Sequence, residues 1–80
     1  MGAPRVTLYG RPGCHLCEDA RAVVSMVCTE LGEEFIEVSV DGDPELQRRF
    51  GEEVPVTFVD GRQHDFWRVD PQRLRAALAG

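Results

Sequence analysis

Two cysteines three residues apart, placed where an apolar strand runs through a tight turn into a helix, constrain this chain more than any other feature. Val6-Thr7-Leu8-Tyr9 is weakly alternating and rich in β-branched residues, so a strand is expected over Arg5–Tyr9. Gly10, Pro12 and Gly13 follow with turn chemistry. Apolar residues then recur with helical period, which puts Cys14 and Cys17 in the first turn of a helix. Residues three apart on a helix share a face at about 5–6 Å, within the reach of a disulfide. At a helix start, unpaired backbone N–H groups and the positive end of the dipole favour a thiolate on Cys14. Cys17, one turn deeper, is placed to attack a mixed disulfide formed on Cys14. The ring these two would close is small, so the bond would stabilise the fold by only about 2 kcal/mol. That favours a disulfide made and broken in turnover over a structural staple.

The rest of the chain supplies a frame for this unit. Leu16, Ala20, Val23, Val24, Val27 and Leu31 form one helical stripe, and Gly32 is the expected stop. Glu34–Val40 reads as a second strand, parallel to the first because a helix crosses between them. Asp43-Pro44 opens a short helix that Gly51 ends. Pro55–Val59 is a third strand, and Asp60-Gly61 is the two-residue turn of a hairpin that returns through Gln63–Val69. Asp70-Pro71 repeats the cap-and-proline start, and the last helix turns Leu74, Ala77 and Leu78 inward. The predicted order is βαβαββα, an α/β fold with a four-stranded mixed sheet covered by helices, which is the order of the thioredoxin fold.

With these elements in place, a family resemblance follows. Tyr9-Gly10-Arg11-Pro12-Gly13-Cys14-His15-Leu16-Cys17 resembles the glutaredoxin motif. In that motif an aromatic strand end, a basic residue, Pro-Gly and C-x-x-C follow one another. Val54-Pro55 ahead of a strand resembles that family's cis-proline segment, and the likeness extends over nearly the whole chain. It implies a dithiol oxidoreductase that reduces disulfides of proteins or of low-molecular-weight thiols. Cys14 would be the attacking thiol, Cys17 the resolving one, and Cys14–Cys17 the oxidised pair. Arg11 stands at the motif's basic position, and Val54 and Pro55 would clamp an extended substrate through backbone groups. Two departures stand out: His15-Leu16 replaces the usual Pro-Tyr, and the double glycine before the last helix is replaced by Arg68-Val69-Asp70. Glutaredoxins seat the γ-glutamyl end of glutathione there, so the electron donor is left open. It is glutathione, another small thiol, or an enzyme of the thioredoxin-reductase type.

Individual residues carry competing readings. Arg11 either favours the Cys14 thiolate or is a solvated turn arginine. His15 either strengthens the thiolate when protonated or is an exposed histidine of modest effect. Cys28 lies eleven residues beyond Cys17, about 16 Å along the helix axis, and reads as a small hydrophobe beside the stripe. His64 reads as a surface residue. Phe66 and Trp67 should point to opposite faces of the last strand, one into the core and one toward a partner. A rival function is a metal or iron–sulfur module in which Cys14 and Cys17 of two chains share the ligation. A third reading is a scaffold without turnover.

Eighty residues are expected to form one domain, residues 1–80. The formal net charge of −5 argues against nucleic-acid partners, because neutralising phosphates supplies most of that affinity. No stretch has the length of a membrane span, and the first residues lack the apolar core of a signal peptide. Gly2 fails as an acylation start because Val6 stands where Ser or Thr is wanted. A monomer in a reducing cytoplasm, with no bound cofactor or metal, is the expectation.

Overall fold

The computed structural model describes residues 3–79; Gly2, weighed as an acylation start, lies outside them. The order is β1 (Val6–Gly10), α1 (His15–Leu31), β2 (Phe35–Ser39), α2 (Pro44–Phe50), β3 (Val56–Val59), β4 (Arg62–Phe66) and α3 (Pro71–Ala79). The four strands form one mixed sheet in the order β2-β1-β3-β4. β1 runs parallel to β2 and antiparallel to β3, and β3 pairs antiparallel with β4. This is the thioredoxin-like arrangement that the βαβαββα order predicts.

Alternation along the central strands divides the apolar residues between two layers. Val6 and Leu8 of β1 and Val59 of β3 join Ala20, Val24, Val27 and Cys28 of α1 and Leu74 and Leu78 of α3 in one core. On the other face Val40, Phe50 and Val56 are buried, with Tyr9 and Phe58 packed against them. Tyr9, Phe50 and Phe58 form a ring cluster with centroids 5.1–5.6 Å apart, within the range where tilted and edge-to-face pairs are favourable. α2 thus covers the sheet opposite α1 and α3. No helix among the described residues is long and apolar enough to cross a membrane.

The turn signals act as their chemistry predicts. Gly32 adopts φ 68°, its N–H bonding Thr29 O while that of Glu33 reaches Cys28 O at 2.9 Å, a left-handed helix stop. Asp60 and Gly61 both have positive φ, 52° and 81°, as a primed hairpin turn requires. Asp43 caps α2 through its carboxylate, and Asp70 does the same for α3. Arg5 ties the far end of the sheet together by pairing with Asp60 and Glu33 and bonding Leu78 O.

Four expectations fail. Leu31 is exposed because it is the last residue of α1, and the core takes Val24, Val27 and Cys28 from this helix but not Leu31. β4 stops at Phe66, short of the expected Val69, because Trp67 turns the backbone to φ 63°. Phe66 and Trp67 therefore do not divide between core and surface. They are 47% and 51% exposed, and their rings pack edge to face at 5.0 Å. His64 is not a surface residue: a register shift between Thr57 and Phe58 leaves it opposite no residue of β3. Its side chain is largely covered, with Nε2 3.8 Å from Asp65 Oδ2.

Candidate functional site

The site forms at the C-terminal end of β1, where the chain leaves the sheet and starts α1. Cys14 is the N-cap of α1, with extended backbone (φ −100°, ψ 116°), and its Sγ accepts the Cys17 N–H at 3.2 Å. Its carbonyl accepts the Glu18 N–H at 3.1 Å, so the first turn closes beneath a sulfur that stands at the positive end of the helix dipole. Gly13 turns the chain into this cap at φ 74°, a conformation open to glycine at little cost. All three cysteines are free thiols, so the structure describes the dithiol form.

The two site cysteines occupy different environments. Cys14 is half-buried, whereas Cys17 is only 4% exposed and belongs to the wall between α1 and β1. Burial pushes the Cys17 thiol up to about 11, the hydrogen bond with the Cys14 side chain adds to the shift, and a backbone hydrogen bond from Arg11 opposes it. Gly10 makes room for this sulfur: a side-chain carbon there would lie 3.1 Å from Cys17 Sγ. The need for glycine at the strand end is a close-approach requirement, with a sequence signal that a turn reading passes over. Cys28 is fully buried in the main core, its thiol also pushed up by burial, which agrees with a small hydrophobe.

The remaining candidates divide. Val54 and Pro55 are joined by a cis peptide bond, as the resemblance implies. Pro55 stands next to Val56, the partner of Tyr9 in the β1–β3 ladder, and so at the sheet end where Gly10 receives the Cys17 sulfur. His15 is exposed on the first turn of α1. Arg11 is directed elsewhere: its guanidinium donates to Gly51 O at 2.9 Å and lies 3.8 Å from Asp41. It braces the end of α2 against the turn after β2, and it lines, with Gly10, Pro12, Cys17, Arg21 and Glu37, an open groove of about 430 Å³.

Sequence reasoning missed Trp67 as part of this region. Trp67, Arg68 and Val69 line a groove of about 180 Å³ with Leu16, Asp19, Ala20 and Val23 of α1. Among the described residues no three His, Cys, Asp or Glu side chains are grouped to hold a metal ion. At the start of α3, Asp70 Oδ1 accepts the N–H groups of Gln72 at 2.8 Å and Arg73 at 3.3 Å. The donors that would meet a carboxylate brought from outside are therefore already engaged.

Comparisons with known proteins agree with this geometry. Residues 5–79 match the glutaredoxin-like domain (DUF836). An uncharacterized protein of Mycobacterium tuberculosis is 38% identical over 99% of this chain and 87% of its own length. A crystal structure of a protein from X. campestris is 36% identical, with a TM-score of 0.77 over 92% of this chain and 95% of that one. The glutaredoxin of Archaeoglobus fulgidus, 18% identical, shares the fold with a TM-score of 0.62 over 99% of this chain and 90% of its own.

Proposed function

This chain belongs to the glutaredoxin-like domain family, and on that premise we propose that it is a dithiol thiol–disulfide oxidoreductase. The observation that carries the proposal is the inequality of the two site thiols. Cys14 caps α1 with its sulfur half-accessible, whereas Cys17 is buried and its thiol is held protonated up to about pH 11. The Cys14 thiolate attacks one sulfur of a substrate disulfide, and the other substrate sulfur leaves as a thiolate that takes a proton from water. The product is a mixed disulfide on Cys14. Cys17 then gives up its proton and attacks Cys14 Sγ, forming the Cys14–Cys17 disulfide and releasing the second substrate thiol. Two electrons and two protons have passed to the substrate.

Resetting the dithiol takes two electrons from a thiol donor: glutathione, another small thiol, or a reductase of the thioredoxin-reductase type. The carboxylate of Asp70 across the start of α3 favours a protein reductase over glutathione. Substrates are protein or small-molecule disulfides, and the compartment is a reducing cytoplasm.

Single-cysteine variants test the mechanism. Cys14→Ser should abolish reduction of dithiol substrates. Cys17→Ser should accumulate a mixed disulfide on Cys14 that mass spectrometry detects intact. Faster alkylation of Cys17 in Cys14→Ser than of Cys14 in Cys17→Ser, at neutral pH, would reverse the assigned roles.

A further inference from the structure

Trp67 presents three facts that its position in a strand reading does not explain. Its backbone sits at φ 63°, a left-handed region that is uncommon for any residue but glycine and strained for a large one. The residue, the largest in the chain, is half-exposed. Its two nitrogens are both spent on one neighbouring segment. The backbone N–H donates to Pro55 O at 2.7 Å and is shared with Glu53 O at 3.4 Å. The indole Nε1–H donates to Glu52 O at 3.1 Å. Left-handed backbone at residue 67 is what aims both donors at the same loop, so the strain and the hydrogen bonds share one cause.

The loop so held, Glu52–Pro55, is the one that ends beside the site, at the point where Gly10 meets the Cys17 sulfur. Trp67 also lines the 180 Å³ groove together with Leu16, which with His15 separates the two cysteines. Trp67 therefore stands between the first turn of α1 and the Val54–Pro55 segment. A side chain in that place sets their separation. Residues 52–55 belong to no helix or strand, so their placement depends on such bonds.

From this juxtaposition we infer that Trp67 is a positioning residue for substrate binding, fixing the Glu52–Pro55 loop at the distance from Cys14 that an extended disulfide substrate requires. The inference rests on the oxidoreductase reading above. It assigns Trp67 no part in the chemistry of the sulfurs, so the substrate KM should change while the reactivity of Cys14 does not. Removal of one neutral hydrogen bond of this kind corresponds to about a fivefold loss in binding.

The experiment measures turnover of insulin disulfides with dithiothreitol as reductant, together with the Cys14 alkylation rate and thermal stability. Trp67→Phe keeps the ring and deletes the Nε1–H donor. It should raise KM about fivefold, with kcat and the alkylation rate unchanged. Trp67→Gly keeps the left-handed backbone and deletes the side chain, and should raise KM further. A native KM in folded Trp67→Phe overturns the inference, and so does a joint fall of kcat, alkylation rate and melting temperature, which marks a general structural role. In case neither variant folds, exchange of the indole Nε1 proton is followed by NMR in Cys17→Ser, free and carrying a substrate peptide on Cys14. It should slow on loading, and equal exchange in both states overturns the inference. Absence of disulfide reduction by the native protein would instead refute the oxidoreductase reading itself.

Discussion

Two helix starts in this fold meet the same physical need in opposite ways. The first turn of any helix leaves backbone N–H groups without partners. At α3 the Asp70 carboxylate accepts two of them, at 2.8 and 3.3 Å, and at α2 Asp43 repeats the arrangement at 2.9 and 3.3 Å. At α1 the cap is the Cys14 sulfur, which accepts one N–H at 3.2 Å. Sulfur is a weak acceptor, so α1 gives up cap strength and places a half-accessible thiol at the positive end of the dipole. The carboxylate-capped starts are closed, while the thiol-capped one remains open to chemistry.

The sharpest way to separate the two kinds of start is pH, because only α1 carries a titrating thiol in its first turn. Cys17 rises from an ordinary value near 9.0 to about 11 in the folded dithiol form, chiefly through burial. In the window between those values the unfolded chain has lost the thiol proton and the folded chain keeps it. Stability is therefore unaffected below about pH 9 and falls as pH rises toward 11. Two units correspond to about 2.7 kcal/mol. Urea unfolding of the reduced protein across pH 8–11 should show the loss, and Cys17→Ala should remove most of it. The remaining slope would come from Cys28, shifted in the same direction by its own burial. An equal slope in native and Cys17→Ala protein would show that the burial of Cys17 does not govern its titration.

Much of this contrast could be read from the sequence. Asp-Pro pairs announce both α2 and α3 because the carboxylate and the fixed proline φ act locally. The C-x-x-C announces α1 for the same reason, and Asp60-Gly61 its hairpin. Directions set by distant atoms could not be read. The sequence leaves Arg11 open between a cation beside Cys14 and a solvated turn arginine, and its guanidinium instead finds Gly51 O, forty residues away in the chain. Trp67 breaks an alternating run through bonds to Pro55 and Glu52, and the place of His64 as the extra residue of β4 depends on the register with β3. Local capping is encoded locally, whereas the shape of the face around the two cysteines is set by contacts between segments.

A second test asks whether the closed start can be opened. A carboxylate arriving at α3 meets the charge of Asp70 and finds two N–H groups already engaged. Exchanging a charge-assisted hydrogen bond for this repulsion corresponds to about 2 kcal/mol, or about thirtyfold in affinity. Glycine is an acceptable N-cap at a cost of only a few tenths of a kcal/mol, so Asp70→Gly should fold. Titration calorimetry should find glutathione binding weakly to the native protein and up to about thirtyfold more tightly to Asp70→Gly. Micromolar binding by the native protein would show that Asp70 does not close the site.

The smallest effect compares the caps themselves. Asp43 caps the seven-residue α2 on the opposite face of the sheet from α1, so Asp43→Ala reports cap strength without changing either cysteine. Loss of a carboxylate cap costs about 1 kcal/mol, which for a domain of this size lowers the melting temperature by about 4–8 °C. Cys14→Ala removes a single long bond to a weak acceptor and should cost only a few tenths of a kcal/mol. Cys14→Ser restores an oxygen acceptor of the kind helix starts favour, so it should leave the melting temperature unchanged or raise it while abolishing turnover. Differential scanning calorimetry on the three reduced variants orders them directly. If Cys14→Ala proved as destabilising as Asp43→Ala, the sulfur would be as strong a cap as the carboxylate. The openness of the α1 start would then rest on its accessible position and not on the weakness of its cap.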